Sequence, residues 1–332
     1  MKKQMFLFTS LILLISCNKN NDDDTTVMPP VTAVSVTNNI SETDTDFTDI
    51  SFPSPSTGYI SGNKTGGKSF IYKSIDGGAT WNTKQTTMTG ISNILFVNDN
   101  TGFATGQTFV TNFAPDFIKT VDGGANWTSL DVPVTSDERL DALFFLDTST
   151  GYVAGQTGKI YKTINGGTSW NILFDSTAEL KDIVFLNVNT GFAVGSKGTI
   201  LKTTDAGVTW TTKISGDNNF ISTIKFINTT TGLAVSSSGK ILKTIDAGET
   251  WSTVFTSSKN LTSIAIVNNK ILVGGSADFS INGNVILSST DNGNNWVTQP
   301  LAVGPKGING IHFFTDIKGL IVGGSSVNVI IL

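Results

Sequence analysis

Few residues in this sequence could carry chemistry. Cys17, His312 and Arg139 are each the only residue of their type among 332. One Cys and one His cannot assemble a structural zinc site or a disulfide framework, so no metal and no cofactor are expected. The formal net charge of −4 gives nucleic acid phosphates nothing to attract, and no nucleic acid partner is expected. What remains is carboxylates. Asp137, Glu138, Asp141 and Asp182 fall near the starts of neighbouring predicted strands, where an axial pocket would open. Two such acids could hydrolyse or cleave a glycosidic bond, which makes a carbohydrate-active hydrolase or lyase the alternative reading. The simpler reading makes them solvated loop acids, with Asp137, Arg139, Asp141 and Asp182 available for contact with a partner.

The elements that must position these residues come from an internal repeat. Its most visible part is Ser/Thr-x-Asp-x-Gly-x-x-Trp, which occurs six times. The boxes pair Asp76 with Trp81, Asp122 with Trp127, Asn165 with Trp170, Asp205 with Trp210, Asp246 with Trp251 and Asp291 with Trp296. All six Trp of the chain therefore sit in boxes. Six copies of one catalytic group at equivalent places would be hard to explain, whereas six turn-forming units are not. The Asp is expected to accept N–H bonds inside the turn, the Gly to supply positive φ, and the Trp to bury a large face between repeats. No catalytic residue is assigned.

A second signature precedes each box. An apolar-x-x-apolar-x-apolar strand appears seven times, from Phe47/Ile50/Phe52 to Ile308/Ile311/Phe313. Ile50 and Ile311 lie 261 residues apart over six steps, or 43.5 residues per repeat, the length of a four-stranded propeller blade. The expected fold is all-β: a seven-bladed β-propeller of four-stranded blades. The last repeat ends without a box, so Val31–Thr37 is expected to supply its fourth strand and close the ring.

The N-terminus reads as an address. Lys2 and Lys3 precede an apolar stretch of eleven residues from Met5 to Ile15, too short to span a bilayer. Leu14-Ile15-Ser16-Cys17 resembles a bacterial lipobox, with Cys17 as the lipidated first residue of the mature chain, and the polar stretch after it resembles the export signal of Bacteroidota lipoproteins. The expected organisation is a signal peptide over 1–16, a polar tether over 17–30 and the propeller over 31–332. Losing Lys2 and Lys3 takes the net charge from −4 to −6, so attachment to the envelope, at the outer membrane and facing the surface, would rest on the lipid alone.

The boxes resemble the Asp-box (BNR) repeats of sialidases, sortilin-type receptors and endoglucanase propellers. The complete repeat, as in Gly191 to Trp210, looks most like the photosystem II assembly and stability factor family, over about residues 31 to 332. That resemblance implies a non-enzymatic assembly factor. It also implies a partner surface rich in Arg, which a chain with only Arg139 does not reproduce. Sialidases grip their substrate with three Arg, and this sequence cannot.

The connections between strands divide into two sets. Those between first and second strands are near-copies, such as Asn98 to Gly102 and Asn187 to Gly191, while the second-to-third connections lengthen in repeats one, two and six. These longer connections bring Phe109, Phe113 and Phe279 to one side of one face, where acquired binding is usual. The expectation is a monomeric scaffold for a protein or glycan partner.

Overall fold

The computed structural model describes residues 35–108, 114–134, 138–276, 283–299, 305–313, 315 and 318–331. They form radial antiparallel sheets, each with its first strand innermost. Five of these sheets are four-stranded blades. Blade I runs through Gly90–Phe96, Gly102–Thr108, Ala114–Thr120 and Thr128–Ser129. Blade II comprises Leu140–Phe145, Gly151–Gly155, Lys159–Thr163 and Asn171–Asp175. Blade III comprises Leu180–Phe185, Gly191–Gly195, Ile200–Thr203 and Thr211–Lys213. Blade IV spans Ile221–Phe226 to Ser252–Thr256, and blade V spans Asn260–Val267 to Val297–Gln299.

The expectation of seven four-stranded blades is corrected here: five form, and the first and last repeats share one six-stranded sheet. Its strand order is Lys306–Phe313, Lys318–Ile331, Ser35–Ser51, Gly58–Lys64, Lys68–Ser74, Asn82–Gln85. Two of its strands are too long for one blade. Ser35–Ser51 has 17 residues and Lys318–Ile331 has 14, against at most eight in any blade strand. The first part of Ser35–Ser51 pairs with Ser326–Ile331, and its last part with Gly58–Lys64. One continuous strand thus ties the two ends of the chain together and fuses what would have been separate blades. Sequence periodicity cannot register this, because the pairing joins residues about three hundred positions apart.

The core lies mainly between neighbouring sheets. Between blades II and III, Tyr152, Ala154 and Ile160 meet Leu180, Ile183, Phe185 and Trp210. The alternation of each second strand explains this, since Phe192 and Val194 face blade IV while Ala193 faces blade II. Phe185 stacks on Tyr152 with centroids 3.9 Å apart, and Trp210 meets Phe185 edge-on at 6.1 Å. Equivalent trios join three other pairs of sheets: Tyr59/Phe96/Trp127, Phe103/Phe145/Trp170 and Phe192/Phe226/Trp251. A further cluster, with Phe47, Ile60 and Tyr72 against Leu320, Val322 and Val327, lies within the closing sheet itself.

Candidate functional site

The innermost strands of the blades and the closing sheet surround an axial cavity of about 1170 Å³. A bulge in each of them decides what faces it. In blade III, Leu180 pairs with Gly195 and Asp182 with Val194, so Lys181 is the extra residue. The same slip skips Thr48, Ser92, Asp141, Ser222 and Thr262 in the other inner strands. This accounts for the apolar-x-x-apolar spacing: the inserted residue breaks the period of two and aims polar side chains from this stretch at the cavity. It also explains the glycine that stands opposite the bulge in most second strands. A Cβ on Gly195 or Gly155 would collide with the carbonyl oxygen of Glu179 or Arg139, which the bulge brings close.

The polar end of the cavity holds one linked set of charges. Arg139 Nε lies 2.6 Å from Asp141 Oδ2, and its Nη2 lies 3.2 Å from Glu179 Oε1. Lys181 Nζ reaches Asp141 Oδ1 at 3.3 Å, and Asn93 donates to the Asp141 carbonyl at 2.5 Å. Blades I, II and III are therefore joined through Asp141, whose side chain is buried. Asp182 is held separately: its Oδ1 accepts from Ile183 N, and its Oδ2 from Thr223 Oγ1 at 2.6 Å and Ile224 N at 3.0 Å. Asp49 occupies the same place in the closing sheet and accepts the N–H groups of Ile50 and Ile94. Burial pushes its carboxyl up to about 6, while those N–H bonds and the charge of Lys225 act in the opposite sense. Asp46, at the rim, accepts from Asn309 at 3.0 Å.

Glu138 does not join this set. Its carboxylate is buried against the hydroxyls of Thr157 and Tyr161, so it is a structural acid, and its expected place at the pocket is corrected. Of the candidate contact residues, Arg139 and Asp141 are in direct contact, and Asp182 lines the same cavity further round. Asp137, Phe109, Phe113, Phe279 and Cys17 lie outside the described residues. Among the described residues, no cluster of three or more His, Cys, Asp or Glu could hold a metal ion.

The boxes form turns on the outer part of the sheets. In blade III, Thr209 N and Thr209 Oγ1 donate to Asp205 Oδ1 and Oδ2 at 2.8 and 2.6 Å. Thr203 Oγ1 donates to Asp205 Oδ1 and accepts from Gly207 N. Trp210 Nε1 then donates to Gly207 O at 3.0 Å. Hydrogen bonds from Thr80, Asn126 and Thr250 hold the carboxyls of Asp76, Asp122 and Asp246 down at about 2. In the Asn165 box, Ser169 N donates to Oδ1 while Nδ2 donates back to Ser169 Oγ, preserving the turn without a charge.

One recurring residue outside the box pattern also links the blades. Lys73, Lys119, Lys162, Lys202 and Lys243 each stand directly before the Ser or Thr of a box, and each donates to the box of the next blade. The acceptors are Gly123 O, Gly166 O, Ala206 O, Ala247 O and Asn294 Oδ1, at 2.6–3.1 Å. Four of these Lys also lie over an aromatic ring of the second strand, 5.3–5.7 Å from its centre. The signal was present as a Lys before five of six boxes; the last has Ser288.

Comparison with known proteins places this architecture in a family. The family model described as photosynthesis system II assembly factor YCF48 matches residues 34–178 and 172–299. The photosystem II assembly lipoprotein Ycf48 of Synechococcus sp. (strain CC9902) is 27% identical over 142 residues, 42% of this chain and 41% of that protein. That match spans about two fifths of the relative's length. A solved structure of YCF48 bound to D1 peptide is 19% identical, with a TM-score of 0.68 over 90% of this chain and 96% of that one. The GH74 xyloglucanase of Xanthomonas campestris is 11% identical, with a TM-score of 0.69 over 89% of this chain and 53% of that one. At such identities the two structures bear on the fold alone. The family match rests on most of the repeat region, and the chain belongs to the photosynthesis system II assembly factor YCF48 family.

Proposed function

We propose that this chain is an envelope lipoprotein, acylated on Cys17, whose propeller docks a protein partner in an assembly process and performs no catalysis. The observation that carries this reading is the state of the cavity acids. Asp49, Asp141 and Asp182 each accept from donors on both oxygens, so that among the described residues lining the cavity hydrolysis lacks the pair of available carboxylates it needs. A relative in the same family is named for binding a D1 peptide, which supports a protein as the partner class here. The docking face is proposed to be the one that carries Arg139 and the loops of Phe109, Phe113 and Phe279.

Cross-linking in intact envelopes, followed by mass spectrometry of captured chains, tests this. Capture should fall when Phe109 and Phe113 are both changed to Ser, with melting unchanged. Equal capture by this variant would remove the face assignment. Release of reducing sugar from envelope polysaccharide by the purified protein would overturn the non-enzymatic reading. Cys17→Ala should move the protein from the membrane to the soluble fraction, and an unacylated Cys17 in the native protein would remove the anchor.

A further inference from the structure

The far end of the axial cavity, toward the short connections after the inner strands, has a different character. Lys225 stands in the inner strand Ile221–Phe226, lines the cavity and is exposed. The other two cations of the lining, Arg139 and Lys181, are both paired with Asp141. Lys225 has no hydrogen bond and no carboxylate within ion-pair distance among the described residues. At the same height in other inner strands stand Leu95, Phe144 and His312, and just beyond them Phe52 and Phe313. His312 stacks on Phe52 with centroids 5.2 Å apart. Burial and the charge of Lys225 push its imidazole down to about 4, so near neutral pH it is an uncharged ring. The acid on which the charge of Lys225 acts, Asp49, lies two residues nearer the polar end and already accepts two backbone N–H groups.

We propose that this end of the cavity binds an organic monocarboxylate with an aromatic or apolar body. The carboxylate would pair with Lys225 Nζ, and the body would lie against Phe144 and the Phe52–His312 stack. Each part of the ligand follows from a part of the wall. A single ammonium without a partner calls for one negative charge, and an ion pair between apolar walls is screened less than one in open water. A multiply charged phosphate would meet only one free cation among the described residues of the lining while sharing the cavity with Asp49 and Asp182. Aromatic surface in the lining of the same end of the cavity favours a ligand that carries apolar area with its charge. Such a carboxylate could be a free small acid or the C-terminal residue of a protein chain. The second source alone rests on the reading that the partner is a protein, but not on the face assigned to docking, since it would enter by the mouth opposite Arg139.

Calorimetric titration of the full chain with 3-phenylpropionate tests the site. Saturable binding is expected, weakened at least tenfold when the ligand is 3-phenylpropionamide or the protein is Lys225→Gln. Lys225→Arg should retain binding, and Arg139→Gln should leave it unchanged. Acid and amide binding alike, wild-type affinity in Lys225→Gln, or no saturable binding up to about 10 mM would each overturn the proposal. A peptide ending in Phe with a free carboxylate separates the two sources: tighter binding than phenylpropionate, lost on amidation, identifies a chain terminus, and weaker binding identifies a free acid. Cross-linking capture by Lys225→Gln is read independently, so a failed acid site and a failed docking face give different results.

Discussion

The five blades and the closing sheet solve the same packing problem by different means. A blade is held locally: its box closes the outer turn, and the Lys before each box in the closing sheet and blades I to IV reaches the box of the next blade. The junction between blade V and the closing sheet has no such Lys, and the last repeat has no box to receive one. That junction relies on Ile308, Ile311, Ile321 and Ile330 packed against Leu272 and Ile286. It also relies on the pairing of Ser35–Ser41 with Ser326–Ile331 to join the chain ends. Bonds repeated from one blade to the next thus hold the blades, while one pairing across about three hundred residues holds the closure. Loss of a box should cost a fixed amount, whereas loss of the closure should cost the fold.

One deletion and five substitutions test that contrast. The largest effect is expected from deleting residues 35–41, which uncovers Ser326–Ile331 as an open edge. Size-exclusion chromatography should show aggregates, and thermal scans should lose their single cooperative transition; a monomer with unchanged melting would break the comparison. Next, Trp210→Ala should cost about 3–5 kcal/mol in urea unfolding, the range for truncating a buried aromatic. Trp81→Ala, in the closing sheet, should cost less because that ring is only half-buried.

Lys202 is buried and donates to Ala247 O at 2.7 Å and Glu249 Oε1 at 2.6 Å. Lys202→Met should therefore cost about 2 kcal/mol, the worth of a charge-assisted hydrogen bond. Ser288→Lys, which restores the missing member, should give no gain in the same assay, because no box lies beyond it.

The smallest effect concerns pH. The folded-state carboxyls of Asp76, Asp122 and Asp246 lie below their ordinary value, so the stability they contribute is present above about pH 4 and is lost as pH falls toward about 2. Asp49 has the opposite sign. Its folded carboxyl is raised to about 6, so stability falls as pH rises from about 4 to about 6. Denaturant midpoints should be highest near pH 4 to 5, and Asp49→Asn should flatten the upper slope. An unchanged slope in that variant would remove Asp49 as its origin.

The parts legible in the sequence were those written within one repeat. The box spans eight residues, its hydrogen bonds join positions two to four apart, and the apolar spacing of the inner strand already contains the bulge. All of this is local stereochemistry, and copying it along the chain makes it visible. The Lys before the box was equally visible but had no meaning until its acceptor, more than forty residues away, was known. Tertiary structure alone decided the rest. It made the first and last repeats one sheet, brought Arg139, Asp141, Glu179 and Lys181 into one ionic set, and left Lys225 without an ion-pair partner among the described residues, in a cavity that aromatic side chains also line. These are relations between side chains on different strands. A repeat pattern states which way each residue faces but not what it meets there, because that depends on how the ring closes.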